Sequence, residues 1–374
     1  MDRLAVRRAL LVLKISIFVI LALSLVFLYL QGRIAIVQDE QYLLGTYFRI
    51  KAQSRSYDQA QRAVRAAFAE AQRLATQFSR TPSEGEGTLG ALNRRGAFES
   101  VKLSDDVLIV LEAARRYRML SEGAFDHTIG KIVNLWGFTQ DWDRSGVGRI
   151  PSPEELKPLV EEQREVFLDA TAKTARLSSA NVEVDLGGIA KGYIVDKVVE
   201  ILKKHELDSG LVDAGGNIRV FNDRARRVLW FEDRRPFRIG VQHPRDEQKI
   251  IGVLEIWGDR ALATSGDYQR CFFADALNNI FPCRYADEPD KIRYHHIIDP
   301  KTGQPARGLI SATILAPTAM EADALSTAVF VLGEQKGLEL IESLPNVECI
   351  LVTDDGRIIV SSGLKDINFP TELR

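Results

Sequence analysis

Two rhythms of apolar and polar positions run along this chain. Between residues 57 and 77 the apolar positions Ala60, Val64, Phe68 and Leu74 keep to one face at helical spacing, which predicts an alanine-rich helix. Ser104 stands where it can cap a second helix over 107–120, and "SEGAFD" ends it. A polar loop, "TQDWDRSGVGRIPSPEE", leads into a short third helix. Ile189, Tyr193, Ile194, Val198 and Leu202 repeat at helical spacing, and two further helices are predicted over 319–332 and 336–344. The other rhythm is two-fold. Strands are predicted over 33–50, 164–169, 175–178, 181–186, 210–221, 227–232, 236–242 and 250–257, at "ISATILAP", and as a closing pair over 347–361. Helices and strands mix without strict alternation, so the fold class is α+β.

The first thirty residues follow neither rhythm. Residues 15–30, "ISIFVILALSLVFLYL", carry no charge, and Arg3, Arg7, Arg8 and Lys14 precede or flank them. Counted from Ala9, the apolar run is long enough for one membrane span, with the basic flank cytoplasmic. A cleaved signal peptide is the alternative, although "QGRIAIVQDE" offers no good cleavage site. The expected organisation is a basic tail and transmembrane anchor over 1–32, then an extracytoplasmic domain over 33–374. The inner membrane, with the domain on the periplasmic side, is the expected location.

Composition adds little except exclusions. The chain has 374 residues, 45% of them hydrophobic, and a formal net charge of -2, so nothing supports a nucleic-acid surface. Cys271 and Cys283 stand twelve apart around an expected hairpin, and Cys349 is remote. In an oxidising compartment the pair forms either a disulfide or two thiols, because spacing does not set the Cα separation.

Four stretches carry candidate chemistry, each with a plainer reading beside it. "VDLGGIAKGY" is strand, glycine turn and helix: either a tight connection or an anion site at a helix N-terminus, with Lys191 adding charge. It matches neither GxGxxG nor GxxxxGK[ST]. "LVDAGGNIRV" reads as a bulged strand or a close backbone approach. In "YHHIIDPKTGQPA" the turn residues account for Pro300 and Gly303 but not for the adjacent His295 and His296. Consecutive strand residues face opposite ways, so at most one of the two faces a site. In "APTAMEADALSTAVFVLG" Thr318 and Glu321 match a capping box, and Asp323 and Thr327 share a helical face. Those two are either a solvated aspartate beside a packed threonine or hard oxygen ligands suited to magnesium.

Taken in order, "LLGTYFRI", "SEGAFDHTIGKIVNLWGF", "VDLGGIAKGY", "LVDAGGNIRV", "IGVQHPRD", "ATSGDYQR", "HHIIDPKTGQPA" and "EADALSTAVFVLG" resemble the ApbE family of FAD:protein FMN transferases, from about residue 40 onward. The resemblance implies an ApbE/T-fold-like architecture of mixed, largely antiparallel sheets with flanking helices. It also implies a magnesium-dependent enzyme that takes FAD as substrate, transfers FMN to a threonine or serine hydroxyl of an acceptor flavoprotein of Rnf/Nqr type, and releases AMP. Matched by motif, the metal ligands are the Gly188 carbonyl, Asp323 and Thr327, and the FAD contacts are Leu44, Ala124, Phe125, Asp126, Asp185, Lys191 and Ile298. Phosphoryl transfer to an alcohol needs a base, for which His296 is the first candidate and Asp126 or Asp185 the alternatives. A site that hydrolyses FAD to FMN and AMP, or one that only binds FAD, is the competing reading. Against the family pattern, Leu44 replaces a common methionine, His127 a common proline, and residues 78–93 lack the usual tyrosine.

Overall fold

The computed structural model describes residues 11, 13–25, 35–80, 88–138, 148–222, 227–228, 231–232, 236–283, 286–288, 290–367 and 369–373. Its centre is an eight-stranded antiparallel sheet. The strand order is Ala35–Leu43, Thr46–Ser54, Ser209–Ala214, Asn217–Asn222, Arg260–Gly266, Leu309–Ala316, Glu348–Thr353 and Ile358–Val360. The helices Tyr57–Gln77, Ala190–Lys204 and Ala319–Glu342 cover one face. The other face carries the hairpin of Phe237–Gln242 and Ile250–Ile256.

Burial on both faces explains why the central strands read as nearly continuous apolar runs. In Glu348–Thr353, Cys349 and Leu351 join the core under the helices, while Ile350 and Val352 join the core under the hairpin. Ala261 and Ala263 likewise point one way and Leu262 the other. A third, smaller core, with Ile129, Ile132, Trp136, Leu156 and Phe272, supports the loop that follows the Asp105–Leu120 helix.

Three predicted strands turn out to be hairpins, among them the segment over 227–232, where Arg227–Val228 pairs antiparallel with Phe231–Glu232. The segment read as one strand over 33–50 folds back at Leu44 and Gly45, with φ of 57° and 74°. The segment read over 210–221 folds back at Gly215 and Gly216, with φ of 62° and 93°. Two-residue turns with positive φ at both positions match the twist of antiparallel strands, so a glycine pair makes a hairpin rather than a bulge. Leucine in that region is uncommon, and Leu44 gave no warning of it. The strand expected over 181–186 is absent, leaving a single bridge between Ile129 and Glu183. The helices expected over 319–332 and 336–344 are one element with a break at Gly333, where φ is 79°. Residues 13–25 are helical, and among the described residues no helix is long and apolar enough to cross a membrane. The rest of the apolar run lies outside the described residues.

Candidate active site

The two mirror-image turns meet. A Cβ on Gly215 would lie 2.3 Å from the Thr46 hydroxyl oxygen, so the turns pack backbone against side chain with no room to spare. They form one lip of a cleft of about 910 Å³, at the upper end of ordinary ligand pockets. The opposite walls come from residues 124–129, the turn 185–191, the first turns of the Ala319–Glu342 helix and residues 296–298.

The turn 185–191 is held from both sides. Arg80 places one guanidinium nitrogen 2.6 Å from Asp185 Oδ2 and another 2.7 Å from Glu183. Asp185 Oδ1 accepts the Gly187 amide at 2.7 Å. Burial would raise the Asp185 carboxyl, but the Arg80 charge and the Gly187 amide outweigh it and hold the group below its ordinary value. Lys191 Nζ then donates to the Gly187 carbonyl at 2.8 Å and stands 3.7 Å from Asp323 Oδ1.

Beyond Gly187 the backbone departs from a regular helix start. The Gly192 amide, four residues past Gly188, donates to Asp323 Oδ2 at 2.9 Å. Among the described residues the Gly188 carbonyl therefore accepts no hydrogen bond. A Cβ on Gly188 would meet Thr327 Oγ1 at 2.9 Å and the Phe125 ring at 3.3 Å, so glycine is required by space here. A Cβ on Gly192 would lie 2.2 Å from the Ala319 carbonyl oxygen, which is why the two helices can approach closely enough for the Gly192–Asp323 bond.

The second helix is capped in an unusual way. Thr318 accepts the Glu321 amide at 3.2 Å, as the spacing predicts, but the Ala319 and Met320 amides go to Asp196 of the neighbouring helix at 2.8 and 2.9 Å. Asp196 is in turn paired with Arg219 at 2.7 Å. This clamp fixes the turn that presents Asp323 and Thr327. Burial raises the Asp323 carboxyl, with Lys191 and the Gly192 amide opposing. Among the described residues Thr327 Oγ1 has only long contacts, 3.4 Å each, to the Asp323 carbonyl and Ser265. Among the described residues no group of three or more His, Cys, Asp and Glu could hold a metal ion. The set here is mixed: one carboxylate, one hydroxyl and one unused main-chain carbonyl. Those are hard oxygen donors, and they fit a magnesium-sized cation.

Across the cleft, Asp126 is fully engaged. Its Oδ1 accepts the Thr128 amide at 2.9 Å and hydroxyl at 2.6 Å, and Arg118 and Arg164 stand 3.5 and 3.4 Å away. His295 and His296 diverge as strand geometry requires. His295 is buried with Nε2 3.0 Å from the Ala306 carbonyl, whereas His296 lines the cleft with Nδ1 3.3 Å from the Arg270 carbonyl. Burial, then the charges of Arg270 and Lys191, push His296 down to about 3. Cys271 and Cys283 form a disulfide with Cα atoms 5.2 Å apart, which settles the alternative that spacing left open.

The sequence profile of the ApbE family matches residues 44–351. The chain belongs to the ApbE family. Its relatives include the FAD:protein FMN transferase of Treponema pallidum, 34% identical over 297 residues and 75% of each chain. That of Haemophilus influenzae is 36% identical over 273 residues and 70% of each chain. Among solved structures, the ApbE protein of Thermotoga maritima superposes with a TM-score of 0.75 at 30% identity, covering 90% of this chain and all of its own. The flavin transferase ApbE of Vibrio cholerae gives 0.70 at 29%, with the same coverage.

In this ApbE chain Leu44, Ala124, Phe125, Asp126, Asp185, Gly188, Lys191, His296, Ile298, Asp323 and Thr327 all line the one cleft. They come from five separate stretches. Sequence reasoning overlooked Arg80, Asn217, Ser265 and Arg270, which line it too. Arg80 falls where the family pattern is weakest, and its partners lie 103 and 105 positions away. The Asn217 signal was present in "GGN", but the stretch was read for its glycines.

Proposed function

We propose that this cleft binds FAD, transfers its FMN moiety to a serine or threonine hydroxyl of an acceptor flavoprotein, and releases AMP. As its curated relatives are named, the chain is a FAD:protein FMN transferase. The observation that carries the finer reading is the convergence of the unused Gly188 carbonyl with Asp323, Thr327 and Lys191 on one wall. Gly188, Asp323 and Thr327 would hold magnesium, which supplies charge neutralisation to pyrophosphate oxygens. Lys191 and Arg270 add positive charge to the same cleft, where an anionic substrate and a leaving phosphate need it.

In the transfer, the acceptor oxygen bonds to the FMN-side phosphorus, the bond to the AMP phosphate breaks, and the hydroxyl proton leaves to a base. His296 is that base in this reading. A carbonyl only accepts, so Nδ1 carries the ring proton towards Arg270 and Nε2 keeps the free lone pair. The imidazole is neutral at physiological pH, and a bound anion offsets Arg270 and Lys191 and makes it a stronger base. Asp126, tied to Thr128 and two arginines, orients the 124–128 loop instead.

The uncharged run 15–30 and its basic flank support an inner-membrane anchor with the domain on the periplasmic side, where Rnf- or Nqr-type acceptors are the expected partners. The test is intact-mass analysis of the full chain in detergent with FAD, magnesium and an acceptor domain. An FMN-sized mass gain on the acceptor, lost in Asp323→Ala, supports the reading. AMP release with no mass gain on any acceptor makes the chain a FAD pyrophosphatase, and intact FAD throughout makes it a binder.

A further inference from the structure

Asn217 is only 3% exposed, and it lines the cleft. Its amide sits beside the Asp323 carboxylate, close enough to favour the carboxylate's charge, yet Nδ2 is buried and completes no hydrogen bond among the described residues. A buried donor without a partner carries a desolvation cost, and native structures keep few of them. The backbone beneath it has little freedom. Asn217 pairs with Ala214 across the Gly215–Gly216 turn, and that turn is wedged against Thr46. The carboxylate it faces has one oxygen, Oδ2, held by the Gly192 amide, while Lys191 Nζ stands 3.7 Å from Oδ1.

We propose that Asn217 is a positioning residue for Asp323, a donor held in reserve whose Nδ2 bonds the carboxylate when a divalent cation occupies the Asp323, Thr327 and Gly188 donor set. Groups that hydrogen-bond a ligating carboxylate fix its orientation, and their loss typically weakens metal binding by about 10–100-fold. The inference rests on the metal reading of this cleft. It goes beyond that reading by naming a residue outside the cation's donor set that still sets how tightly the cation is held.

The experiment titrates magnesium chloride alone into the full chain and follows thermal stability, for wild type, Asn217→Ala, Asn217→Ser and Asp323→Ala. The expected result is a half-saturating magnesium concentration raised about 10–100-fold in both Asn217 variants. Their metal-free melting temperature should equal or exceed that of wild type, because an unpaired donor has been removed. A purely structural asparagine would instead lower the metal-free melting temperature. The proposal is overturned if the Asn217 variants saturate like wild type, or if their metal-free stability falls. If wild type shows no saturable magnesium response that Asp323→Ala removes, the metal reading fails and this inference falls with it.

Discussion

Arg80 holds its place through Glu183, Asp185, Asn134 and the Gly130 carbonyl at once. Removing one member of such a network leaves the others charged and short of partners. Arg80→Ala is therefore expected to lose about 3 kcal/mol of stability, the low end for a buried pair because Glu183 and Asp185 keep some exposure. Urea denaturation measures it, and a loss below about 1 kcal/mol would show that water replaces the guanidinium. Gly188→Ala has a different signature. Its Cβ has Thr327 Oγ1 at 2.9 Å and Phe125 at 3.3 Å, so the turn or the threonine must give way. We expect FMN transfer to fall at least 10-fold while the cost in stability stays within about 1–3 kcal/mol. Unchanged transfer would remove the turn from the site.

At the scale of elements, the disulfided hairpin lies against the cleft. Cys271 pairs with His295 across the small sheet, and the residue before it, Arg270, takes the His296 amide on its carbonyl at 3.0 Å. Replacing both cysteines with serine opens a loop of twelve-residue separation and is expected to cost about 3 kcal/mol by chain entropy. A thermal melt of the double variant beside wild type, each with and without reductant, checks this. Reductant should move wild type only, and an equal shift in both would place the effect elsewhere. Periodicity made most elements legible, including the helix predicted over 57–77, found as Tyr57–Gln77, and the Ser104 cap of the Asp105–Leu120 helix. What it missed were reversals inside strand-like runs. Leu44–Gly45 lacks the asparagine or aspartate that announces such a turn, and hydrophobic alternation runs straight through it. The site was legible where motifs kept their spacing. It was opaque where a partner lay on another element, as with Arg80, or where a bond redirected the backbone, as with Gly192.

For the whole molecule, buried histidines set the acid limit. His127 is 3% exposed and its Nδ1 has no partner among the described residues; burial, partly countered by Asp126, pushes it down to about 4. His295 is pushed well below its ordinary value by burial and by the neighbouring His296. In the unfolded chain both regain a value near 6.5. Below that pH the unfolded state binds more protons than the folded one, so stability rises with pH across this window and falls on acidification. Between pH 7 and pH 5 His127 is expected to remove about 2 kcal/mol, and His295 adds to the loss in the same direction. Urea midpoints across that range check the sign, and a His127→Gln variant should show a shallower slope. A flat profile would mean that water reaches both rings.

Much of the cleft is made of main chain. The Gly187 and Gly192 amides and the Gly188 and Arg270 carbonyls all act through main-chain atoms. Side-chain changes at residues that act only through these atoms leave the wall in place, although Gly188, Gly192 and Gly215 have no room for a side chain. An alanine scan would therefore under-count the working parts of this cleft. Amide-to-ester replacement, which deletes one backbone donor at a time, would find them.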